Sequence, residues 1–292
     1  MFNVYEQIDR NKQRSLLVIF GFVIFVAGFI WLVGQFLGSD PGMVGVAILF
    51  SLFSALSGYF WGDKLILSLH QAKPANKEAH FDFYTAAENL SIAAQIPKPK
   101  LYVIDSPAMN AFATGRDPDH AVVCTTTGLL NKLDRSELEG VIAHEISHIK
   151  NFDIRLMTIV AVLVGMVTLI SDWLMRGLGR SGSKDKKVHP LVYTVGILGF
   201  ILSPVIAKLI QFALSRQREY FADASAVKLT RHPQGLIRAL EKLTTSPVPL
   251  KAASSATAHL FIVNPLKKAK LASLFSTHPP LKDRIKSLEK ML

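Results

Sequence analysis

From Ser15 to Gly38 no residue carries a charge, and after a Ser39-Asp40-Pro41-Gly42 turn the same holds from Gly42 to Gly62. In hydrocarbon every backbone N–H and C=O must find its partner within the protein, so a run of this kind can only be a helix. Each is long enough to cross about 30 Å of lipid. Arg10, Lys12 and Arg14 precede the first run as they would in a signal peptide. Its length exceeds the usual apolar core of such a leader, and no small-residue cleavage site follows. The pattern predicts a membrane hairpin over residues 1–69.

Two later runs are shorter, Leu156 to Ser171 and Leu191 to Ala207. Both sit at the lower limit for spanning, with Arg155, Arg176 and Lys208 placed to snorkel from their ends. Four crossings are expected, with a re-entrant or buried pair as the alternative. Four crossings put the N-terminus, residues 63–155 and the C-terminal region on one side. Most of the membrane-proximal Lys and Arg lie there, which makes that side cytoplasmic. The basic loop at 175–190 fits this topology poorly and would suit segments that enter and leave on one side.

The composition agrees with a chain partly in lipid: half of its residues are hydrophobic. The net charge of +11 suits a cytoplasmic face against anionic headgroups. No nucleic-acid-binding motif accompanies that charge, so nucleic acid is not an expected partner. With one cysteine, Cys124, the chain has neither an internal disulfide nor a thiolate zinc site.

The chemistry is concentrated in His144-Glu145-Ile146-Ser147-His148, an H-E-x-x-H motif. On a helix the two imidazoles lie about 40° apart around the axis, one turn along it. In that register they can share a zinc ion, with Glu145 beside the metal's water as general base. Ser136 and Glu139 read as a capping box for this helix, which should end near Lys150. Leu138, Ile142, Ile146 and Ile149 cluster away from the histidines and should anchor it. Gly140 lies near the ligand face, where another backbone or a substrate can come close.

A catalytic zinc needs a third protein ligand and a water. Other histidines and downstream carboxylates are the candidates, and Glu219 stands out. Glu219 and Asp223 face one way at i and i+4, and Ala222, Ala224 and Ala226 keep their helix slim. Glu219 can ligate while Asp223 orients an imidazole. The alternative is an exposed Glu219 paired with Arg216 or Arg218.

The soluble parts flank the hydrophobic pair at 154–208. Residues 70–153 hold a helix from Phe81 to Ala94, stopped at Ile96-Pro97, and β-rich runs at Leu101–Ile104 and Ala121–Thr125. Residues 209–292 look helical, interrupted at 244–258, with Leu281, Ile285, Leu288 and Leu292 on one terminal face. The fold class is therefore a mainly α membrane protein: four transmembrane helices with a zincin-like α+β catalytic domain at the cytoplasmic membrane surface. His148 is roughly 12 Å from Leu156 if the chain between is helical, which places the site at the membrane surface.

With these motifs in hand, the chain resembles the HtpX-type membrane zinc metalloproteases, gluzincins related to the CAAX-prenyl proteases. The similarity covers nearly the whole length. It rests on Met1-Phe2-Asn3, the paired N-terminal spans, Asn110-Ala111-Phe112-Ala113-Thr114-Gly115, the HEISH motif, Glu219 with Asp223, and Phe275-Ser276-Thr277-His278-Pro279-Pro280 followed by Arg284. The resemblance implies one Zn2+ per subunit held by His144, His148 and Glu219, with Asp223 behind a ligand. It also implies a His278/Arg284 pair that stabilises the oxyanion, and a substrate-binding edge at Asn110, Ala111, Phe112 and Ala113. Further implications are a bacterial inner-membrane location, a cytoplasmic active site, and misfolded or damaged membrane proteins or unfolded polypeptides as substrates, in quality control and stress response.

Three other readings compete. A site-2-type protease places its motif inside an apolar span, whereas charges such as Lys132, Asp134 and Asp153 flank this one. Prenyl-peptide proteases generally have more spans. A membrane scaffold or chaperone-like binder with a structural zinc is the non-enzymatic alternative.

Overall fold

A computed structural model describes residues 4–37, 43–165, 216–245, 248, 250, 256–263, 265 and 279–292. Two long helices open the chain, α1 (Val4–Leu37) and α2 (Met43–Leu69). They pack against each other. Leu16, Leu17, Phe20, Ile24, Phe50, Phe53, Phe60 and Trp61 point outward from them, a surface suited to lipid and costly in water. Among the described residues, one helix, Ile8–Gly28, meets both the length and the apolarity required of a membrane span.

A small soluble layer follows. Strand β1 (Lys73–Pro74) precedes α3 (Phe81–Ala94), then come β2 (Lys100–Ile104), β3 (Ala111–Gly115) and β4 (Ala121–Thr126). The sheet order is β1-β2-β4-β3, with β2 and β4 parallel and both outer strands antiparallel to their neighbours. Gln95, in the left-handed conformation, ends α3 and donates to Ile92 O. Short α4 (Thr127–Lys132) leads into α5 (Arg135–Lys150), the helix that carries the H-E-x-x-H motif.

The start of α5 differs from the sequence expectation. Its cap is Asp134, whose carboxylate accepts from Glu137 N at 2.9 Å, while Glu137 Oε2 accepts from Asp134 N at 2.8 Å. Asp134 with Glu137 and Ser136 with Glu139 have the same spacing, so both satisfy the capping-box pattern. The bury-or-expose balance chooses between them. Glu137 is buried and paired to Lys242 at 2.6 Å, whereas Glu139 stays outside with Arg135.

Beyond α5 the chain turns at Asn151 and Phe152 into α6, described over residues 153–165. This helix lies against both membrane helices. Val18 and Phe22 of α1 pack on Leu156, Ile159, Val160 and Leu163. Gly58 and Gly62 of α2 form a small face at i and i+4, and a Cβ on Gly62 would come within 2.8 Å of Thr158. Small residues so placed let helices approach where no hydrophobic effect drives them together. The rest of the first later run, the whole of Leu191 to Ala207 and the 175–190 loop lie outside the described residues.

Helices α7 (Arg216–Thr230), α8 (Pro233–Thr245) and α9 (Leu281–Glu289) complete the fold. Helix α5 sits at the centre, in contact with α3, α7, α8 and the sheet. Leu138, Ile142, Ile146 and Ile149 are all in the core, as expected. In α9, Leu288 is buried and Leu281 and Ile285 are partly so. Leu292 falls past the helix end and is exposed, so the apolar face is one turn shorter than its spacing implied.

Gly140 explains how α8 reaches α5. A Cβ there would lie 2.6 Å from Leu236 N, and one on Gly235 would lie 2.5 Å from Ser136 O. It is therefore a neighbouring backbone that occupies the space beside Gly140. Gly140→Ala should cost about 1–3 kcal/mol by forcing the backbones apart. Gly21→Ala, where nothing lies within 4 Å, should be near neutral. Thermal unfolding of the two variants in detergent checks this, and equal midpoints would contradict the close crossing.

Candidate metal centre

His144 and His148 project from α5 towards α7, which presents Glu219 and, one turn on, Asp223. The facing surface of α7 is kept low by Ala222 and Ala226, both fully buried. Ala224 is only partly buried and takes a smaller part in that contact. One ligand atom each from His144, His148 and Glu219 lie within 4.8 Å of one another. Nε2 of His148 is 3.2 Å from Nε2 of His144. Glu219 places Oε2 at 3.7 Å from the His144 Nε2 and Oε1 at 3.7 Å from the His148 Nε2.

The opposite nitrogen of each ring is engaged by a carboxylate. Nδ1 of His144 is 3.0 Å from Asp223 Oδ1, and Nδ1 of His148 is 3.0 Å from Asp153 Oδ2. A neutral imidazole that donates from Nδ1 has a bare lone pair on Nε2. Two such lone pairs and a carboxylate then converge on one spot, a donor set that fits a divalent cation with nitrogen and oxygen ligands. The local field agrees. Against the downward pull of burial, the hydrogen bond to Asp153 and the charge of Glu219 hold the His148 imidazole up, at about 9. Burial and the Arg284 guanidinium pull His144 down to about 4. Positive charge is therefore drawn to the His148–Glu219 side of the cluster.

Glu145, between the two histidines in sequence, is buried beside this cluster. Burial pushes its carboxyl up to about 7, well above the ordinary glutamate range. A carboxylate poised near neutrality can accept a proton and return it. The backbone of Ala113 on β3 bonds to it.

Arg284 is a fully buried side chain at the centre of this arrangement. Its Nε and Nη2 donate to Asp223 at 2.9 and 2.6 Å, and Nη1 lies 3.3 Å from Glu219 Oε2. Burial opposes its charge, but the two carboxylates outweigh that and raise its pKa further. The same guanidinium holds Asp223 well below the ordinary aspartate range against the effect of burial. Arg284 thus faces Glu219 and Asp223, the two carboxylates that α7 brings to this cluster. His278, its expected companion, lies outside the described residues.

The expected substrate edge is occupied by the chain itself. Asn110 donates from Nδ2 to Val263 O at 2.8 Å, and its Oδ1 accepts from Val263 N at 3.3 Å. Ala111 O accepts from Ile262 N at 3.0 Å. Gly115 N, at the far end of β3, donates to Thr158 Oγ1 at 3.1 Å. Phe112 packs on Phe261, in the segment that covers this edge, and on His70. Two residues not singled out in the sequence reading, Asp153 and Asn11, belong to the surroundings of His148. Asp153 follows His148 by five residues, a spacing no common motif flags. Asn11 lies in another helix altogether.

The profile of peptidase family M48 matches residues 82–292, which include His144, His148, Glu219, Asp223 and Arg284 and strands β2 to β4. The chain belongs to peptidase family M48. Within it, the chain is 44% identical to the protease HtpX homolog of Dictyoglomus turgidum, spanning 99% of this chain and 95% of that one. It is 41% identical to the protease HtpX homolog of Streptococcus uberis, over 99% of this chain and 100% of that one. The crystal structure of Ste24p from S. mikatae shares the fold with a TM-score of 0.51 at 21% identity, covering 98% of this chain and 67% of that one. The protein is a membrane-bound metalloprotease of the HtpX type, and the non-enzymatic scaffold is not favoured.

For this M48 protease, Glu219→Ala should lose its metal on dialysis while wild type keeps it. Asp223→Asn should weaken metal affinity by about 10–100-fold, because it frees His144 and leaves Arg284 with a neutral partner. Elemental analysis after dialysis against graded chelator measures both, and unchanged metal content in Glu219→Ala would exclude that residue as a ligand.

Proposed function

We propose that the protein is a zinc endopeptidase that cleaves misfolded or damaged membrane proteins and unfolded polypeptides at the cytoplasmic face of a bacterial inner membrane. The observation that carries this reading is the convergence of His144, His148 and Glu219, with each imidazole backed by its own carboxylate. Zinc suits two nitrogens and an oxygen, and when bound would act as a Lewis acid on water and on the scissile carbonyl.

The chain's own groups do the rest. Glu145 takes a proton from the attacking water and passes it to the departing amine, a role matched by a carboxyl pushed up to about 7. Arg284 keeps Glu219 and Asp223 in place, and by resemblance joins His278 in stabilising charge on the carbonyl oxygen. A substrate strand would replace residues 261–263 along β3, taking over the hydrogen bonds that Asn110 and Ala111 now make to Ile262 and Val263.

The setting supports substrates held near lipid. Helix α6 begins within the turn after α5 and runs among α1 and α2, so the cluster sits at the root of the membrane helices. Four crossings with the N-terminus inside, and contact with anionic lipids there, remain the reading that the distribution of charge favours.

Glu145→Gln tests the mechanism. The variant should keep its metal and lose at least about 100-fold in cleavage of casein or an unfolded membrane protein. Chelator should abolish the wild-type activity as well. Near-wild-type cleavage by Glu145→Gln would refute the assignment.

A further inference from the structure

Asn11 is a buried amide on α1, a helix that exposes Leu16, Leu17, Phe20 and Ile24 and buries Val18 and Phe22. It lies one turn before Ser15, whose hydroxyl donates back to Asn11 O at 2.8 Å. Both hydrogens of the Asn11 amide are committed. Nδ2 is 2.7 Å from Asp153 Oδ1 and 2.9 Å from Asn151 O. Asp153 spends its other oxygen, Oδ2, on Nδ1 of His148. Two hydrogen bonds thus connect the first membrane-associated helix to one of the two histidines of the metal centre.

We propose that Asn11 is a positioning residue for the metal: by clamping Asp153 and the Asn151 carbonyl it fixes the carboxylate that sets the tautomer and direction of His148. The local backbone explains why a clamp is useful. Asn151 ends α5 and Phe152 takes a positive φ of 58°, so Asp153 follows a sharp reversal and is not held by α5. Its carboxylate, at the first residue of α6, takes its direction from the groups around it. Arg218 also pairs with Asp153, reaching the same Oδ1 at 3.7 Å, and the 2.7 Å bond from Asn11 is the closer contact on that oxygen.

Lys12 and Arg155 both lie over the Phe152 ring, 4.7 and 5.1 Å from its centroid. The reversal is therefore gripped by α1 at two adjacent positions. Orienting groups behind metal-bound histidines tune affinity because a misaligned imidazole binds poorly. The consequence is that the metal centre is completed by the membrane hairpin and does not belong to the soluble layer alone. Metal affinity should depend on α1 being docked.

This inference rests on His148 being a ligand, and the stoichiometric metal content of wild type checks that separately. The test uses the full chain in detergent, comparing wild type, Asn11→Leu, Asp153→Asn and the double variant. Zinc affinity is read by chelator competition, and ligand geometry by the visible absorption of the cobalt-loaded protein. Asn11→Leu should weaken zinc binding about tenfold and alter the cobalt spectrum, with the melting point of the metal-free protein little changed. In the Asp153→Asn background the Asn11 substitution should have no further effect, because its partner is already gone. Zinc affinity within twofold of wild type in Asn11→Leu would overturn the proposal. So would an undiminished effect of Asn11→Leu on top of Asp153→Asn, which would mark a general loss of packing.

Discussion

Two imidazole lone pairs and a carboxylate are aimed at one another across less than 5 Å, in a region sealed from water. These groups bring electron density to one place, and the field they make attracts positive charge, as the raised pKa of His148, about 9 against the pull of burial, shows. A divalent cation bound there would meet two nitrogens and a carboxylate oxygen at once. The surroundings of α5 can be understood as the framework needed to keep those three groups converging. The core pins the helix from all sides, Gly140 lets α8 lie directly against it, and Ala222 and Ala226 let α7 do the same.

Around this centre a second ring of charge keeps the ligands from turning aside. Asp223 and Asp153 each fix one imidazole, and Arg284 ties Asp223 to Glu219. A buried guanidinium is expensive to desolvate, and here its neighbours are acidic groups with good geometry. Asn11 extends the ring into the membrane hairpin. The short distance between chemistry and lipid thus follows from connectivity: α5 passes through a two-residue turn into α6, which packs on both N-terminal helices.

Much of this could be read from residues in a row. The charge-free runs defined α1 and α2, and the i, i+4 histidines and the Glu219/Asp223 pair defined α5 and α7, because helical periodicity makes local sequence report on a face. The boundaries of α3 were legible for the same reason, with Ile96-Pro97 preventing continuation. What could not be read were contacts that close over long stretches of chain. Asn11 and Asp153 are 142 residues apart, and neither belongs to a motif. The pairing of residues 262–263 on the Asn110 edge is equally non-local, so the edge looked open in the sequence. The capping box slipped by two residues because Asp134/Glu137 and Ser136/Glu139 share one spacing, and burial of Glu137 decided between them.

The family is one of metalloproteases, and the geometry brings two side chains from α5 and one from α7 into a group that could hold a metal. X-ray absorption at the zinc edge of the loaded, full-length protein addresses that coordination directly. The spectrum should show two imidazole nitrogens at about 2.0–2.1 Å together with oxygen ligands and no sulfur. A shell of three or more imidazoles, or one of oxygen alone, would contradict the account.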